Sequence, residues 1–120
     1  MTKSTQVDEP YINHISALVK IKTDVSENPE DIEKIGEELS LGLGLKIVKK
    51  DYHKFTPIGI TYIFILSQSH LVVHTWPEYK LYHIDLLSCV NVSRDKVVEN
   101  IEKVFKEMEI EKIKLYRLIG

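Results

Sequence analysis

The chain has one cysteine, Cys89, in 120 residues, so no internal disulfide can form and the thiol is left free. It has no dominant charge. Sixteen Lys and Arg against eighteen Asp and Glu leave a net charge of −2, which supplies no broad cationic field for nucleic acid. It has no long apolar run: Ile58 to Leu66 is far short of the roughly 20 residues that span a bilayer. Its first residues carry no apolar targeting segment, so a cytoplasmic protein without a membrane partner is expected.

What is present reads as an ordinary globular protein, with 43% hydrophobic and 28% charged residues. The length fits a single domain able to bury a two-layer core. Residues 1–9 are polar and read as a flexible tail, leaving residues 10–120 as the domain.

From Tyr11 to Ile21 the chain alternates, with Ile15, Ala17, Val19 and Ile21 on one face and His14, Ser16 and Lys20 on the other. That is a half-buried strand. Asn28 before Pro29 is a capping residue followed by proline at the first helical position, and Glu30 and Asp31 suit the positive end of the helix dipole. Ile32, Ile35 and Leu39 then recur at helical spacing, so a helix is expected from 29 to about 41.

Lys46 to Phe55 reads as an edge strand because of its lysines. Pro57-Ile58-Gly59 is a turn, and Ile60 to Leu66 is apolar on both faces, as a central strand would be. Leu71 to Trp76 and Leu81 to Cys89 read as further strands, the latter interrupted by His83 and Asp85. Ser93 caps a second helix with a stripe of Val97, Ile101, Val104 and Met108, and Ile110 to Ile119 is a last strand. The expected fold is α+β: a two-layer sandwich of a mainly antiparallel sheet with two helices packed on one face.

The chemistry-bearing residues concentrate in Ser67-Gln68-Ser69-His70-Leu71-Val72-Val73-His74-Thr75-Trp76-Pro77-Glu78-Tyr79, with Cys89 about ten residues on. Taken singly they are structural background. His70 and His74 would share a face of a helix and invite a metal, but Leu-Val-Val between them favours a strand, and no metal is expected. Cys89 near a strand end is commonly a small buried residue. Cysteine–histidine nucleophilic catalysis is chemically open, since His74 can lower a thiol pKa, but the contexts that surround a protease cysteine are absent.

Taken together, the run resembles the signature of the prokaryotic S-adenosylmethionine decarboxylase proenzymes. That family shows Ser-Glu-Ser-His-x-x-Ile-His-Thr-Trp-Pro-Glu and, downstream, Ile-Asp-x-x-x-Cys, matched here by Ile84-Asp85-Leu86-Leu87-Ser88-Cys89. Tyr52-His53-Lys54-Phe55-x-Pro57-x-Gly59 matches as well, so the close likeness covers roughly residues 52–89.

The resemblance implies a pyruvoyl enzyme that makes its own cofactor. Ser69 matches the serine that attacks the preceding carbonyl, here that of Gln68; the chain is cut between 68 and 69 and the serine becomes a pyruvoyl group. An amide is a poor electrophile, so a strained turn and a stabilised oxyanion are expected there. Thr61 and His74 match groups that assist processing, Thr61 replacing the usual serine. The pyruvoyl ketone would form a Schiff base with S-adenosylmethionine and accept electrons as CO₂ leaves. Cys89 matches the proton donor to the substrate carbon, Phe55 a ring packed on the adenine near the sulfonium, and Glu78 the carboxylate that holds the ribose. A homodimer acting in spermidine synthesis is implied.

Besides Thr61, the chain departs from the pattern in four places. Gln68 stands for glutamate, and Val90 stands for the glycine after the cysteine. Ile12-Asn13-His14 stands for Gly-x-His, and Ala17-Leu18-Val19-Lys20 for an acidic and aromatic run. Two alternatives follow: a pyruvoyl decarboxylase of arginine or ornithine, or an unprocessed homologue with a binding or regulatory role.

Overall fold

The computed structural model describes residues 10–120; the tail expected at residues 1–9 lies outside them. The elements in chain order are β1 (Asn13–Ile21), α1 (Pro29–Gly42), β2 (Ile47–Lys54), β3 (Ile60–Leu66), β4 (Ser69–Trp76), β5 (Leu81–Ser88), α2 (Arg94–Val104) and β6 (Ile110–Ile119). Short 3₁₀ turns at Pro77–Tyr79 and Lys106–Met108 complete the set. The strands form one six-stranded sheet in the order β2-β3-β4-β5-β1-β6, with every neighbouring pair antiparallel.

Both helices begin where their caps predict. The Asn28 side chain accepts from the Glu30 N–H at 3.0 Å, and Ser93 Oγ from the Lys96 N–H at 3.2 Å. Ile32, Ile35 and Leu39 of α1 and Val97 and Ile101 of α2 are buried against one sheet face, together with alternate residues of the strands: Ile15, Ala17 and Val19, Tyr62 and Phe64, Leu71 and Val73, Tyr82, Ile84 and Leu86. Burying a side chain of this size stabilises by roughly 1.5–3 kcal/mol, before the entropy of ordering is set against it. Gly36 lets α1 approach the sheet: a Cβ there would fall 2.0 Å from Phe64 Cε1. The apolar stripe of α2 runs past the helix end, with Met108 in the following turn.

The lysine-rich strand β2 is at the edge, as expected, and Lys50 pairs with Glu33 at 2.7 Å and with Glu37 at 2.5 Å. The apolar strand β3 is interior, paired with β2 on one side and β4 on the other, and second from that edge. Its inward residues enter the core, whereas Ile63 and Ile65 on its other face are 41% and 47% exposed. Among the described residues no helix covers that second face, which carries His14, Ser16 and Leu18 of β1, Thr61, Ile63 and Ile65 of β3, His70, Val72 and His74 of β4, and His83, Asp85 and Leu87 of β5. The register aligns these residues across the strands.

Candidate active site

The motif occupies β4 and the segments that flank it, and its groups fall into two clusters. The first is at the hairpin joining β3 to β4. Leu66 pairs with Ser69, so only Ser67 and Gln68 make the turn. Gln68 has φ 53°, in the left-handed region that a residue with a side chain occupies at a cost of about 1–3 kcal/mol. The strain therefore falls on the residue whose carbonyl precedes Ser69. Ser69 is 8% exposed, and its Oγ accepts a hydrogen bond from the Cys89 N–H at 3.0 Å. The Cys89 thiol points back at the same turn, 3.5 Å from the Ser67 carbonyl. Serine and cysteine, twenty apart in sequence, are thus neighbours because β5 ends beside the start of β4.

The second cluster is at the far end of β4. Thr61 is paired with His74, and Thr61 Oγ1 lies 2.9 Å from His74 Nδ1. Phe55, Ile58, Gly59, Thr61, His74, Trp76 and Glu78 line a groove of about 410 Å³. Phe55 is exposed and edge-on to His53, with ring centroids 4.7 Å apart. Glu78 is in the 3₁₀ turn after β4, where Pro77 opens the turn and Lys80 closes it at φ 51°. The Thr75 hydroxyl accepts from the Ile60 N–H at 2.8 Å and Glu27 Oε1 from the Gly59 N–H at 3.2 Å, which fix the groove wall from beneath.

The chain does not bring the two clusters together. Ser69 and His74 are five residues apart on one strand, about 17 Å at the usual rise, and an odd separation sends their side chains to opposite faces.

Between them, on the uncovered face, lies a polar lattice that the sequence shows only as interruptions in β5. Asp85 Oδ1 accepts from His14 Nε2 at 2.8 Å and Asp85 Oδ2 from His70 Nε2 at 3.2 Å; a carboxylate only accepts, so both rings carry their proton on Nε2. Burial works to raise the Asp85 carboxyl, but the hydrogen bonds from His14 and His70 outweigh it and hold the group below its ordinary value. His83 stacks on His74 with centroids 5.4 Å apart, and its Nε2 is 2.7 Å from Ser16 Oγ. Burial, then the neighbouring His83, push His74 below the ordinary histidine value against the pull of Asp85. Trp76, unassigned from sequence, lines the groove; its even spacing from His74 is the signal that places the two on one face.

The chain is thus a two-layer α+β protein with a buried serine directly after a strained two-residue turn, a thiol against the same turn and a separate polar groove. The sequence pattern of S-adenosylmethionine decarboxylase matches residues 13–118. The chain is 32% identical over 97 residues to the S-adenosylmethionine decarboxylase proenzyme of Thermosipho melanesiensis, covering 80% of this chain and 75% of that one. It is 38% identical over 93 residues to the proenzyme of the same name from Clostridium botulinum strain Langeland, covering 75% of this chain and 80% of that one. In structure it is similar to the adenosylmethionine decarboxylase from Aquifex aeolicus VF5, with a TM-score of 0.73 over 92% of this chain and 90% of that one at 23% identity. The chain belongs to the S-adenosylmethionine decarboxylase family.

Proposed function

We propose that this protein is a self-cleaving S-adenosylmethionine decarboxylase that cuts itself between Gln68 and Ser69 and works as a homodimer. The observation that carries the reading is the left-handed Gln68 immediately before a buried Ser69 whose oxygen is already oriented by the Cys89 N–H. Ser69 Oγ attacks the Gln68 carbonyl carbon, the C–N bond breaks, and an ester replaces the amide. Loss of the Ser69 Cα proton then expels the Gln68 carboxylate, and water releases ammonia to leave a ketone at the new terminus.

These residues suit a pyruvoyl group. The hairpin supplies the strained acyl donor, and the Cys89 N–H and thiol both stand against the same turn. Once formed, such a group supplies a carbonyl that takes the substrate amine and accepts electrons as CO₂ leaves. Cys89 holds a proton at Sγ within the same turn, where it can return it to the substrate carbon. Phe55 and Trp76 offer aromatic faces for a purine and a sulfonium, and Glu78 offers acceptors for ribose hydroxyls. His74 with Thr61 supplies a base and a hydroxyl for the cleavage step.

The separation of the clusters supports the dimer. A two-fold axis between two uncovered sheet faces, running perpendicular to the strands, lays β4 against a reversed β4. The hairpin of one protomer then meets the groove of the other. Ile63 and Ile65, exposed within one chain, together with Val72 and Leu87 on the same face, would be buried by that contact.

Intact mass of the purified protein, with and without hydroxylamine, tests the reading. Two fragments, residues 1–68 and 69–120, are expected, the smaller one reactive with hydroxylamine. Ser69→Ala is expected to leave one chain without decarboxylase activity, and continued cleavage of that variant would contradict the assignment.

A further inference from the structure

His83 has no assignment in the cleavage step, yet its ring stacks on that of His74. The two are cross-strand partners on β4 and β5, their rings stacked at 5.4 Å and 24°. Its far nitrogen is held by Ser16 of β1, so a connected row runs Ser16–His83–His74–Thr61 across four strands, with hydrogen bonds of 2.7 Å and 2.9 Å at its two ends. We propose that His83, anchored by Ser16, is a positioning residue that fixes the ring plane of His74 and keeps it in the basic form toward the Thr61 hydroxyl. This rests on the reading of His74 as a processing group.

A stacked ring restricts rotation about the His74 side chain, so Nδ1 stays on Thr61 instead of swinging to solvent. Two imidazoles with centroids 5.4 Å apart also resist carrying two positive charges, because like charges at this separation oppose each other. The other titratable groups around His74 do not replace this effect. His53 of β2 is exposed and engaged with Phe55, His70 is bound to Asp85, and Asp85 itself pulls toward protonation. Glu78 lies across the groove. Burial favours the neutral ring as well, so removing His83 is expected to move the titration without abolishing the depression.

The test has two arms, one independent of cleavage. In the uncut Ser69→Ala chain, the His74 titration is followed by NMR with and without His83→Phe, which keeps a stacking ring and removes its charge. An upward move of the His74 pKa is expected; an unchanged value in a folded spectrum overturns the proposal. In the cleavable chain, the rate of self-cleavage is measured against pH. His83→Phe is expected to carry the acid limb to higher pH while the plateau rate holds, and His83→Ala to lower the plateau by roughly ten-fold or more as the ring loses its support. Ser16→Ala, a milder change, is expected to shift the profile in the same direction by less. Profiles for all three that match the parent chain overturn the proposal. A parent chain that stays uncut contradicts the proposed function and the cleavage role of His83, while the NMR arm still decides whether His83 acts on His74.

Discussion

At the hairpin end of β4 the reactive atoms are held by main chain; at the groove end they are held by side chains. Ser69 Oγ is oriented by a backbone N–H, the Cys89 thiol by a backbone carbonyl, and the strain sits in the φ of Gln68. Thr61, His74, His83 and Ser16 instead hold one another through hydroxyls and imidazoles. The difference matches the chemistry proposed for each end. Breaking an amide needs an unrelaxed backbone and an aligned nucleophile, which rigid main-chain contacts provide. Taking up a proton during cleavage and binding a substrate need groups whose charge can be tuned, which the side-chain lattice provides.

The sharpest test at the hairpin end is Cys89→Ala, which separates cleavage from turnover. The Cys89 N–H that orients Ser69 survives in alanine, so cleavage is expected to proceed, whereas turnover should fall by about 10²–10⁴-fold with the loss of a proton donor. Intact mass and CO₂ release from labelled substrate read the two steps separately. Loss of cleavage would mean that the thiol belongs to the first step. Glu78→Gln probes the other end: KM is expected to rise roughly ten-fold with kcat little changed, since one carboxylate contact to a hydroxyl is weakened and the hairpin is untouched. A fall in kcat alone would place Glu78 in the chemistry and not in binding.

A smaller effect is expected from Gln68→Gly. Glycine adopts φ 53° without penalty, so the hairpin loses its strain while Ser69 stays in place. Cleavage should slow by about five-fold, equivalent to roughly 1 kcal/mol, in a time course of fragment appearance. An unchanged rate would remove strain from the account.

The smallest expected effect is on stability, and it belongs to the groove end. His74 is held below its ordinary value of 6.5, so below that pH the unfolded chain binds more protons than the folded one and stability falls as the pH drops. Asp85, held below 3.8, adds a loss only when the pH falls through that lower range. The urea midpoint of Ser69→Ala is therefore expected to drop between pH 7 and pH 5. His74→Phe should flatten that dependence.

Much of the fold was legible because the local signals agreed. The alternation of Tyr11 to Ile21, the Asn28-Pro29 cap and the lysines of β2 each predicted an element that the structure contains at nearly the expected bounds. β3 is interior as read, but a strand apolar on both faces reads as covered on both, while among the described residues its second face is left uncovered. The candidate residues were legible through the motif, but their division was not drawn from it, although the odd spacing of Ser69 and His74 already implies opposite faces. His83 and Asp85 gave only the appearance of interruptions in a strand. Their role depends on the register that sets His83 against His74 and Asp85 between His14 and His70, which no single segment reveals.

Mixing two inactive chains tests the shared site most directly. Ser69→Ala keeps His74, and His74→Ala keeps Ser69; in a heterodimer of the two, one intact hairpin faces one intact groove. Co-expression is expected to restore cleavage of the His74→Ala chain and up to about half of the decarboxylase activity per mixed dimer. If the His74→Ala chain stays uncut in proven heterodimers, the hairpin and groove do not meet across two protomers, and the account of the site is wrong.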